Sequence, residues 1–269
     1  MQPLLRVENL VKRYSTKKTA SLHEDLLALD GVSFSIGEGT TLAIVGESGS
    51  GKSTLAFCLA CLERSTSGSI WFAGKDIAKL AEKDLRQVRP KIQLIFQDPA
   101  NSLNPRWNAL ETLSEPIILQ GRTKRNEIRQ RARTLLEKVG LSSELGERPP
   151  GELSGGQRQR LAIARALALE PEVLILDEAL SALDCSVQAQ TANLLLELQG
   201  SLGMTYLFIT HDLAMAAHLA DEIAIMNRGQ IAEQGSTQKI LTLPQHETTR
   251  QLLAAVPRLP CATPPAPEQ

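Results

Sequence analysis

The stretch GESGSGKS at residues 46–53 decides the fold. It begins with Gly46 and ends with Gly51, Lys52 and Ser53, so it fits the pattern G-x-x-x-x-G-K-[ST]. It follows the apolar run TLAIV and opens the helix-compatible run STLAFCLAC, which predicts a strand–loop–helix unit. Glycines let the backbone N–H groups face an anion, and the helix N-terminus adds partial positive charge. The stretch therefore predicts a phosphate-binding loop for a nucleotide.

Two residues of this loop have distinct expected tasks. Lys52 would reach the β- and γ-phosphates as a point charge, and the hydroxyl of Ser53 would ligate Mg²⁺. The backbone that surrounds the phosphates would come from the other loop residues, Gly46, Glu47, Ser48, Gly49, Ser50 and Gly51.

Polar residues also follow three further apolar runs. VLILD ends at Asp177 and is followed by Glu178, KIQLIF is followed by Gln97, and TYLFIT is followed by His211. Asp177 suits Mg²⁺ coordination, and Glu178 is then left to polarise an attacking water. Each of these positions is also compatible with a structural or helix-capping role. In a doubly wound sheet the carboxyl ends of the strands face one site, so we expect the four positions to converge.

The composition and the pattern of apolar residues limit the classes of protein to which this chain can belong. The 269 residues carry 29 Lys and Arg against 30 Asp and Glu, which does not indicate a strongly basic nucleic-acid-binding domain. No apolar run approaches the ~18 residues of a membrane helix, and we expect a soluble, intracellular chain that cannot cross a membrane by itself. Strands alternating with helices predict an α/β fold with a parallel sheet buried on both faces.

The pair Cys58 and Cys61 lies in an apolar run, so we expect core packing rather than a zinc or redox site.

A second exposed helix start occurs at LSGGQ, residues 153–157. Ser154 is the expected N-cap of the long Ala/Leu helix that follows, and this helix end would also attract an anion. A single nucleotide does not need two such ends from one chain. Two copies arranged head to tail would use both, each giving its second end to the γ-phosphate held by the partner.

Taken together, these motifs resemble the ATP-binding cassette (ABC) ATPases. The matching stretches, in the order typical of that family, are GESGSGKST (46–54), Gln97, LSGGQ (153–157), LILDE (174–178), SALD (181–184) and His211. The resemblance spans about residues 4–240. It implies a P-loop NTPase fold with a RecA-like core, an N-terminal antiparallel β-subdomain and an inserted α-helical subdomain. The implied division is a nucleotide-binding core at 1–97 and 165–240, a helical signature subdomain at 98–164, and a C-terminal extension with a Pro-rich tail at 241–269.

The resemblance also implies roles for residues and two cofactors, ATP and Mg²⁺. Lys52, Ser53 and Thr54 would bind phosphate and Mg²⁺, and Asp177 would be the Walker B aspartate and a metal ligand. Gln97 would lie in the Q-loop near the metal, Glu178 would be the catalytic base, and His211 would contact the γ-phosphate. Tyr14 occupies the place of the aromatic residue that stacks on adenine, although a tyrosine at a strand end is also ordinary half-buried core. The nucleotide contacts expected from the opposite copy are Ser154, Gly155, Gly156, Gln157 and Asp184.

Longer stretches look like the peptide and nickel importer ATPases. These are FQDPANSLNPR (96–106), PPGELSGGQRQR (149–160), DEALSALDCSVQAQ (177–190) and HETTRQLLAAVP (246–257). Ala179 stands where many relatives have Pro, and the chain lacks the cysteine-bearing extension of longer peptide subunits, so nickel is slightly favoured over peptide. The expected protein is an ATP-hydrolysing subunit peripheral to the cytoplasmic face of the inner membrane. Its expected partners are a second cassette (a paralogue is favoured, and a second copy of this chain is the alternative), two membrane permeases and an extracytoplasmic solute-binding protein.

The alternative is a soluble ABC ATPase that acts on nucleic acid or the ribosome. The stretch at residues 121–134 carries six Lys and Arg against one Glu, which suits RNA, but a solvated helix face explains it more simply. The chain also has one cassette and no heptad insertion, so an importer subunit without nucleic-acid partners is the favoured interpretation.

Overall fold

The strands form two sheets that pack against each other. The computed structural model describes residues 3–17, 23–98, 102–121 and 123–255. Within them the strands are β1 (Leu5–Lys17), β2 (His23–Ile36), β3 (Thr41–Val45), β4 (Ser67–Phe72), β5 (Lys75–Asp76), β6 (Ile92–Ile95), β7 (Val173–Asp177), β8 (Thr205–Thr210), β9 (Glu222–Asn227) and β10 (Gln230–Ser236).

The larger sheet has six strands in the order β10-β9-β3-β8-β7-β6. Its neighbours from β9 to β6 are all parallel, and only the β9–β10 hairpin at one edge is antiparallel. The predicted parallel sheet is therefore confirmed. Because the strands are parallel, the residues that follow β3, β6, β7 and β8 all leave the sheet at one edge.

Apolar residues cover both faces of this sheet. In β3, Ala43 and Val45 pack into one core, while Leu42 and Ile44 pack into the other. Successive side chains of a strand point to opposite faces, so a strand buried on both sides must be apolar throughout. The near-continuous apolar runs in the sequence are the direct result.

The smaller sheet is antiparallel, with the strand order β2-β1-β4-β5. Its apolar residues Leu5, Val7 and Phe34 share the second core with α1 (Lys52–Leu59), the helix that follows the loop at 46–53. This arrangement confirms the expected N-terminal antiparallel subdomain and places β2 against the loop.

The helices lie on both sides of the large sheet: the first two contribute to the second core, and the later ones pack into the other core. After α1 they are α2 (Glu82–Val88), α3 (Ala109–Gln120), α4 (Arg125–Lys138), α5 (Gly155–Leu167), α6 (Cys185–Leu202), α7 (Leu213–Leu219), α8 (Thr237–Thr242) and α9 (Glu247–Ala255). Helices α3, α4 and α5 contact one another and form the helical insertion. The residue boundaries of the three-part division stay a prediction, and α5 runs across the proposed limit at residue 164.

Helix α3 was not predicted, because Pro116 interrupts its pattern. The helix is nevertheless well specified at its start, where Asn108 accepts a hydrogen bond from the Glu111 N–H (2.8 Å) and the Glu111 carboxylate accepts one from the Asn108 N–H (2.8 Å). It ends at Gly121, whose φ of 65° is left-handed. Good caps and burial of Pro116 compensate for the backbone donor that proline lacks.

Two further expectations concern the ends of the chain and the membrane. The Pro-rich tail at 256–269 lies outside the described residues. In the part of the chain that is described, no helix has the length and apolar character needed to span a bilayer.

Gly68 in β4 provides a test of this packing. Its φ is +91°, and a Cβ there would stand 2.4 Å from the Asn9 carbonyl oxygen in β1. We expect Gly68→Ala to lower the free energy of unfolding by about 2–4 kcal/mol, because it adds left-handed strain and a backbone clash. Gly200→Ala in α6 is the matched control, with open space around the added methyl. It should raise stability by about 0.5 kcal/mol. Urea titration of both variants measures the difference, and equal midpoints would contradict the described contact.

Candidate functional site

The loop at 46–53 lies between β3 and α1, as predicted, and its glycines are required by its geometry. Gly49 and Gly51 have φ values of 80° and 106°. A Cβ on Gly46 would stand 2.2 Å from the Met226 carbonyl oxygen, and one on Gly51 would stand 2.4 Å from the Ala28 carbonyl oxygen. The loop is therefore held tightly by β9 on one side and β2 on the other.

The Lys52 ammonium group is buried inside this loop. Nζ donates hydrogen bonds to the carbonyl oxygens of Gly46 (2.8 Å) and Glu47 (2.9 Å), and it lies 3.8 Å from Glu178 Oε1. Burial lowers the pKa of Lys52, while the carboxylates of Glu178 and Asp177 oppose this effect. The ammonium thus lies in the concave side of the loop, where it can exchange carbonyl partners for phosphate oxygens.

Asp177 and Ser53 meet at the end of β7. Ser53 Oγ donates a hydrogen bond to Asp177 Oδ1 at 3.2 Å. Burial raises the pKa of the Asp177 carboxyl, and the Ser53 hydrogen bond lowers it in part. A carboxylate in such a setting gains most from a nearby cation.

These oxygens fit Mg²⁺ only together with phosphate. Ser53 and Asp177 supply one hydroxyl and one carboxylate, which is the small protein share that Mg²⁺ usually takes when phosphates and waters complete its octahedron. The described residues contain no group of three or more His, Cys, Asp or Glu side chains able to hold a metal alone. The buried Ser50 hydroxyl, which has no hydrogen-bond partner, also suits a loop that closes around a polar ligand.

Glu178 is the point at which the predicted strand-end residues converge. Its Oε2 lies 3.3 Å from Gln97 Nε2 and 3.5 Å from His211 Nδ1, and its Oε1 lies near Lys52. The structure thus joins, through direct contacts, residues that are up to 159 positions apart in the sequence between Lys52 and His211. In this arrangement the Gln97 amide contacts Glu178, and its expected role at the metal stays a prediction.

The backbone of Glu178 is held in an unusual conformation. Its φ is 47°, in the left-handed region that a non-glycine residue rarely adopts. Its N–H donates to the Ile209 carbonyl oxygen (2.9 Å), and its own carbonyl accepts from the Ser181 N–H (3.1 Å) and Ser181 Oγ (2.8 Å). Strain of this kind persists only where surrounding contacts over-determine it, and it fixes the direction of the carboxylate.

The signature stretch begins α5 as expected. Ser154 Oγ accepts a hydrogen bond from the Gln157 N–H (3.2 Å), and Gln157 Oε1 accepts one from the Ser154 N–H (2.9 Å), which forms a capping box. A Cβ on Gly156 would lie 2.5 Å from Val187 Cγ1 of α6, so glycine permits the close approach of the two helices, and Gly155 lies beside Leu183. Asp184 caps α6 by accepting from the Val187 N–H at 3.0 Å.

The signature stretch does not reach the phosphate loop of its own chain. In the described residues, no hydrogen bond or ion pair joins positions 153–157 to positions 46–54, where Thr54 is half-buried in α1. The structure therefore contains two separate helix starts with exposed N–H groups. Both remain candidates for binding the same class of anion in different molecules.

Tyr14 is connected to the phosphate loop through strand β2 of the small sheet. It is half-buried and pairs in register with Leu26 of β2, which is 61% exposed. Two residues along β2, about 7 Å away, the Ala28 carbonyl contacts Gly51. An aromatic ring and an exposed aliphatic side chain thus lie on the strand pair whose β2 contacts the loop, and they offer an apolar surface to the base of a bound nucleotide.

Sequence reasoning missed Lys12, which contacts the ring of Tyr14, and Ser181, which holds Glu178. The position of Lys12, two residues before Tyr14 in a strand, was an available signal that the two side chains share a face. The SALD motif was an available signal for Ser181. The expectation for Cys58 and Cys61 fits their surroundings, because burial raises the pKa of each thiol to about 11. Neither is positioned as a reactive thiolate.

A groove of about 880 Å³ opens next to this site between β6, α2, α3 and α5. Phe96 and Leu119 contribute exposed apolar surface to it, and Arg165 pairs with Glu115 at 2.8 Å along its wall. Phe96 directly precedes Gln97, so the groove lies one residue along the chain from the side chain that contacts the Glu178 carboxylate.

The comparisons with known proteins agree with this geometry. The sequence profile described as "ABC transporter" matches residues 29–181. The dipeptide transport ATP-binding protein DppF of Escherichia coli is 46% identical over 259 residues, which cover 96% of this chain and 78% of the relative. The oligopeptide transport ATP-binding protein OppD of Mycobacterium tuberculosis is 46% identical over 258 residues, which cover 95% of this chain and 42% of the relative.

Solved structures extend the likeness to the fold. The dimeric post-hydrolysis state of the ATP-binding cassette MJ0796, bound to ADP and Pi, superimposes with a TM-score of 0.78 at 32% identity, covering 87% of this chain and 98% of that one. CbiO1 of Clostridium perfringens, part of the cbiONQ transporter complex, gives a TM-score of 0.79 at 31% identity, covering 95% of this chain and 96% of that one. The chain therefore belongs to the ABC transporter family and is an ATPase of that family.

Proposed function

We propose that this chain is the ATP-hydrolysing subunit of an importer that takes up peptides through separate membrane permeases. The single observation that carries the catalytic part is the convergence of Lys52, Gln97 and His211 on the Glu178 carboxylate. The similarity to proteins named for dipeptide and oligopeptide transport, at 46% identity, supports peptides as the substrate class. The slight preference for nickel that the sequence suggested has no such support.

Nucleotide binding begins with the Lys52 ammonium group. Phosphate oxygens entering the loop replace the Gly46 and Glu47 carbonyl oxygens as its partners, and loop N–H groups complete the cradle. This exchange draws the ammonium away from Glu178, which lies 3.8 Å away. Binding of the substrate thereby frees the carboxylate that must act next.

Mg²⁺ would be held by Ser53 and Asp177 with the phosphates, and when bound it neutralises charge on the transferred phosphoryl group. Ser53 Oγ donates its hydrogen to Asp177 Oδ1, so its lone pairs stay free for the metal. Asp177 keeps its place because it closes the buried strand β7.

Glu178 then accepts a proton from the attacking water, while Gln97 and His211 orient the water and the γ-phosphate. The left-handed backbone of Glu178 fixes the direction from which the carboxylate approaches. Because the hydrogen bonds to Ile209 and Ser181 hold that backbone, the base is positioned before substrate arrives.

A complete site needs a second cassette. In the described residues, no hydrogen bond joins Ser154, Gly155 or Gly156 to the phosphate loop of their own chain, so a head-to-tail partner would bring its γ-phosphate to their N–H groups and to the Ser154 hydroxyl. The capping box leaves the hydroxyl hydrogen of Ser154 available for donation to that phosphate. Asp184, one turn before Val187, would lie at the same interface. We propose a paralogous cassette as the partner.

The groove beside Gln97 is the proposed docking site for a permease. It presents exposed Phe96 and Leu119 between charged walls, which suits a short amphipathic helix. Movement of the occupant would reach Glu178 through Phe96 and Gln97. Attachment through this groove would place the chain on the cytoplasmic face of the inner membrane, with a solute-binding protein on the other side.

The contacts of α4 do not favour the alternative in which the chain acts on nucleic acid. The basic residues Arg129 and Arg131 of α4 are paired with Glu147 and Glu170, as a solvated helix face would be. The relatives described above are named for transport. Salt-dependent RNA binding by the chain would revive this alternative.

The first prediction concerns the base. Glu178→Gln should reduce steady-state ATP hydrolysis by a factor of about 10²–10⁴ with the permease present, and it should leave ATP affinity intact, because the amide keeps the shape but cannot accept the proton. Phosphate release and equilibrium ATP binding measure the two effects. Glu197→Gln on the exposed side of α6 is the control. Undiminished hydrolysis in the Glu178 variant would remove Glu178 as the base.

The second prediction concerns the groove. Leu119 is 78% exposed at the groove, and Leu243, outside it, is 64% exposed. Leu119→Glu should abolish co-purification of the permease, because it places a charge on the docking surface, while ATP binding by the chain stays unchanged. Leu243→Glu should affect neither. Equal recovery of the permease with both variants would rule out this surface as the docking site.

The third prediction concerns the substrate. The extracytoplasmic binding protein encoded alongside this chain should be stabilised against heat by di- and oligopeptides and not by nickel complexes. Thermal unfolding with each ligand at matched concentrations checks this. Stabilisation by nickel complexes alone would replace peptides with nickel as the proposed cargo and leave the ATPase role untouched.

A further inference from the structure

The buried ammonium group of Lys12 is the strongest feature that the proposed mechanism leaves unused. Lys12 is only 9% exposed in β1. Its Nζ donates hydrogen bonds to Glu63 Oε1 (2.6 Å) and to the Arg64 carbonyl oxygen (2.8 Å). This hydrogen bond from Lys12 lowers the pKa of Glu63. A lysine is rarely buried unless it is paired, and these two hydrogen bonds supply the pairing that Lys12 requires.

The same ammonium group covers one face of the Tyr14 ring. Nζ lies 4.7 Å from the ring centroid, within the range of a cation–π interaction. Its two hydrogen bonds hold the ammonium in place, so the cation is a fixed support for the ring and not a mobile surface charge.

The support is anchored to the segment that follows α1. Besides Glu63 and Arg64, Thr66 contributes two bonds: its Oγ1 accepts from the Arg13 N–H (2.9 Å), and its N–H donates to the Val11 carbonyl oxygen (2.7 Å). Helix α1 begins at Lys52 of the phosphate loop. The ring of Tyr14 and the phosphate loop are therefore connected through α1 as well as through β2.

We infer that Lys12 is a positioning residue that holds the Tyr14 ring as the platform for the base of the bound nucleotide. The inference rests on the proposed function, in which Tyr14 stacks on the base. A Tyr14 ring without such a support would lose rotamer freedom when the base binds, and that loss would weaken the affinity for the nucleotide. A ring that a fixed cation already holds on one face avoids this loss, and the base stacks on its other face.

The test separates the base from the phosphates. Dissociation constants for ATP and for tripolyphosphate are measured on the full chain by calorimetry, in one Mg²⁺-containing buffer. Lys12→Met should weaken ATP binding about 2- to 10-fold, the range that preorganisation of one side chain supplies, and should leave tripolyphosphate binding unchanged. Lys79→Met, which breaks another lysine–carboxylate pair (Lys79–Asp76, 2.9 Å), is the matched control and should change neither value.

A double-variant cycle shows whether Lys12 acts through Tyr14. Tyr14→Ala should weaken ATP binding about 10-fold, as loss of base–aromatic stacking does, and adding Lys12→Met to it should cause no further loss. If Lys12→Met alone leaves ATP binding unchanged, weakens tripolyphosphate equally, or acts fully in the Tyr14→Ala background, the inference is wrong. Glu63→Gln, which keeps the buried lysine, gives the same test with a smaller effect if Lys12→Met does not fold.

Failure of the inference is distinguishable from failure of the proposed function. If Tyr14→Ala leaves ATP affinity unchanged, Tyr14 is no base platform and Lys12 loses its role. Lys52→Ala, by contrast, should remove affinity for both ATP and tripolyphosphate. Retention of both by the Lys52 variant would overturn nucleotide binding at this loop itself.

Discussion

The charge of Lys52 is the constraint on which the rest of the site depends. An ammonium group buried at the start of α1 must be paired, and it is paired with two loop carbonyls and the nearby Glu178 carboxylate. The loop must therefore curl, which requires glycine at positions 49 and 51, and β9 must pack closely, which requires glycine at position 46. The same charge ties nucleotide binding to the base, because an anion that takes the ammonium also releases the carboxylate.

The sequence predicted features that depend on local backbone chemistry or on the shared edge of a parallel sheet. The phosphate loop, the N-cap at Ser154 and the convergence of Gln97, Glu178 and His211 belong to these. Features that depend on distant partners escaped prediction. Burial of Lys12 depends on Glu63, which is 51 positions away in the sequence.

The helices that the sequence analysis missed have the same explanation. Helix α3 contains Pro116, and the caps that rescue it are visible only once the helix is in place. The segment that leads into helix α9 is held to the β9–β10 hairpin because the Glu233 carboxylate accepts hydrogen bonds from the N–H groups of Gln245 and His246, each at 2.9 Å. Tertiary contacts supply most of the stability of short helices, so local patterns identify them poorly.

The separation of the signature stretch from the phosphate loop has a genetic consequence. In the proposed pairing with a paralogous cassette, one composite site takes Lys52 from this chain, and the other site takes Ser154 from it. An inactivating allele at position 52 would therefore damage one site, and an inactivating allele at position 154 would damage the other. The two kinds of allele would leave different sites of the same pair intact, so their phenotypes would differ wherever the two sites are not equivalent.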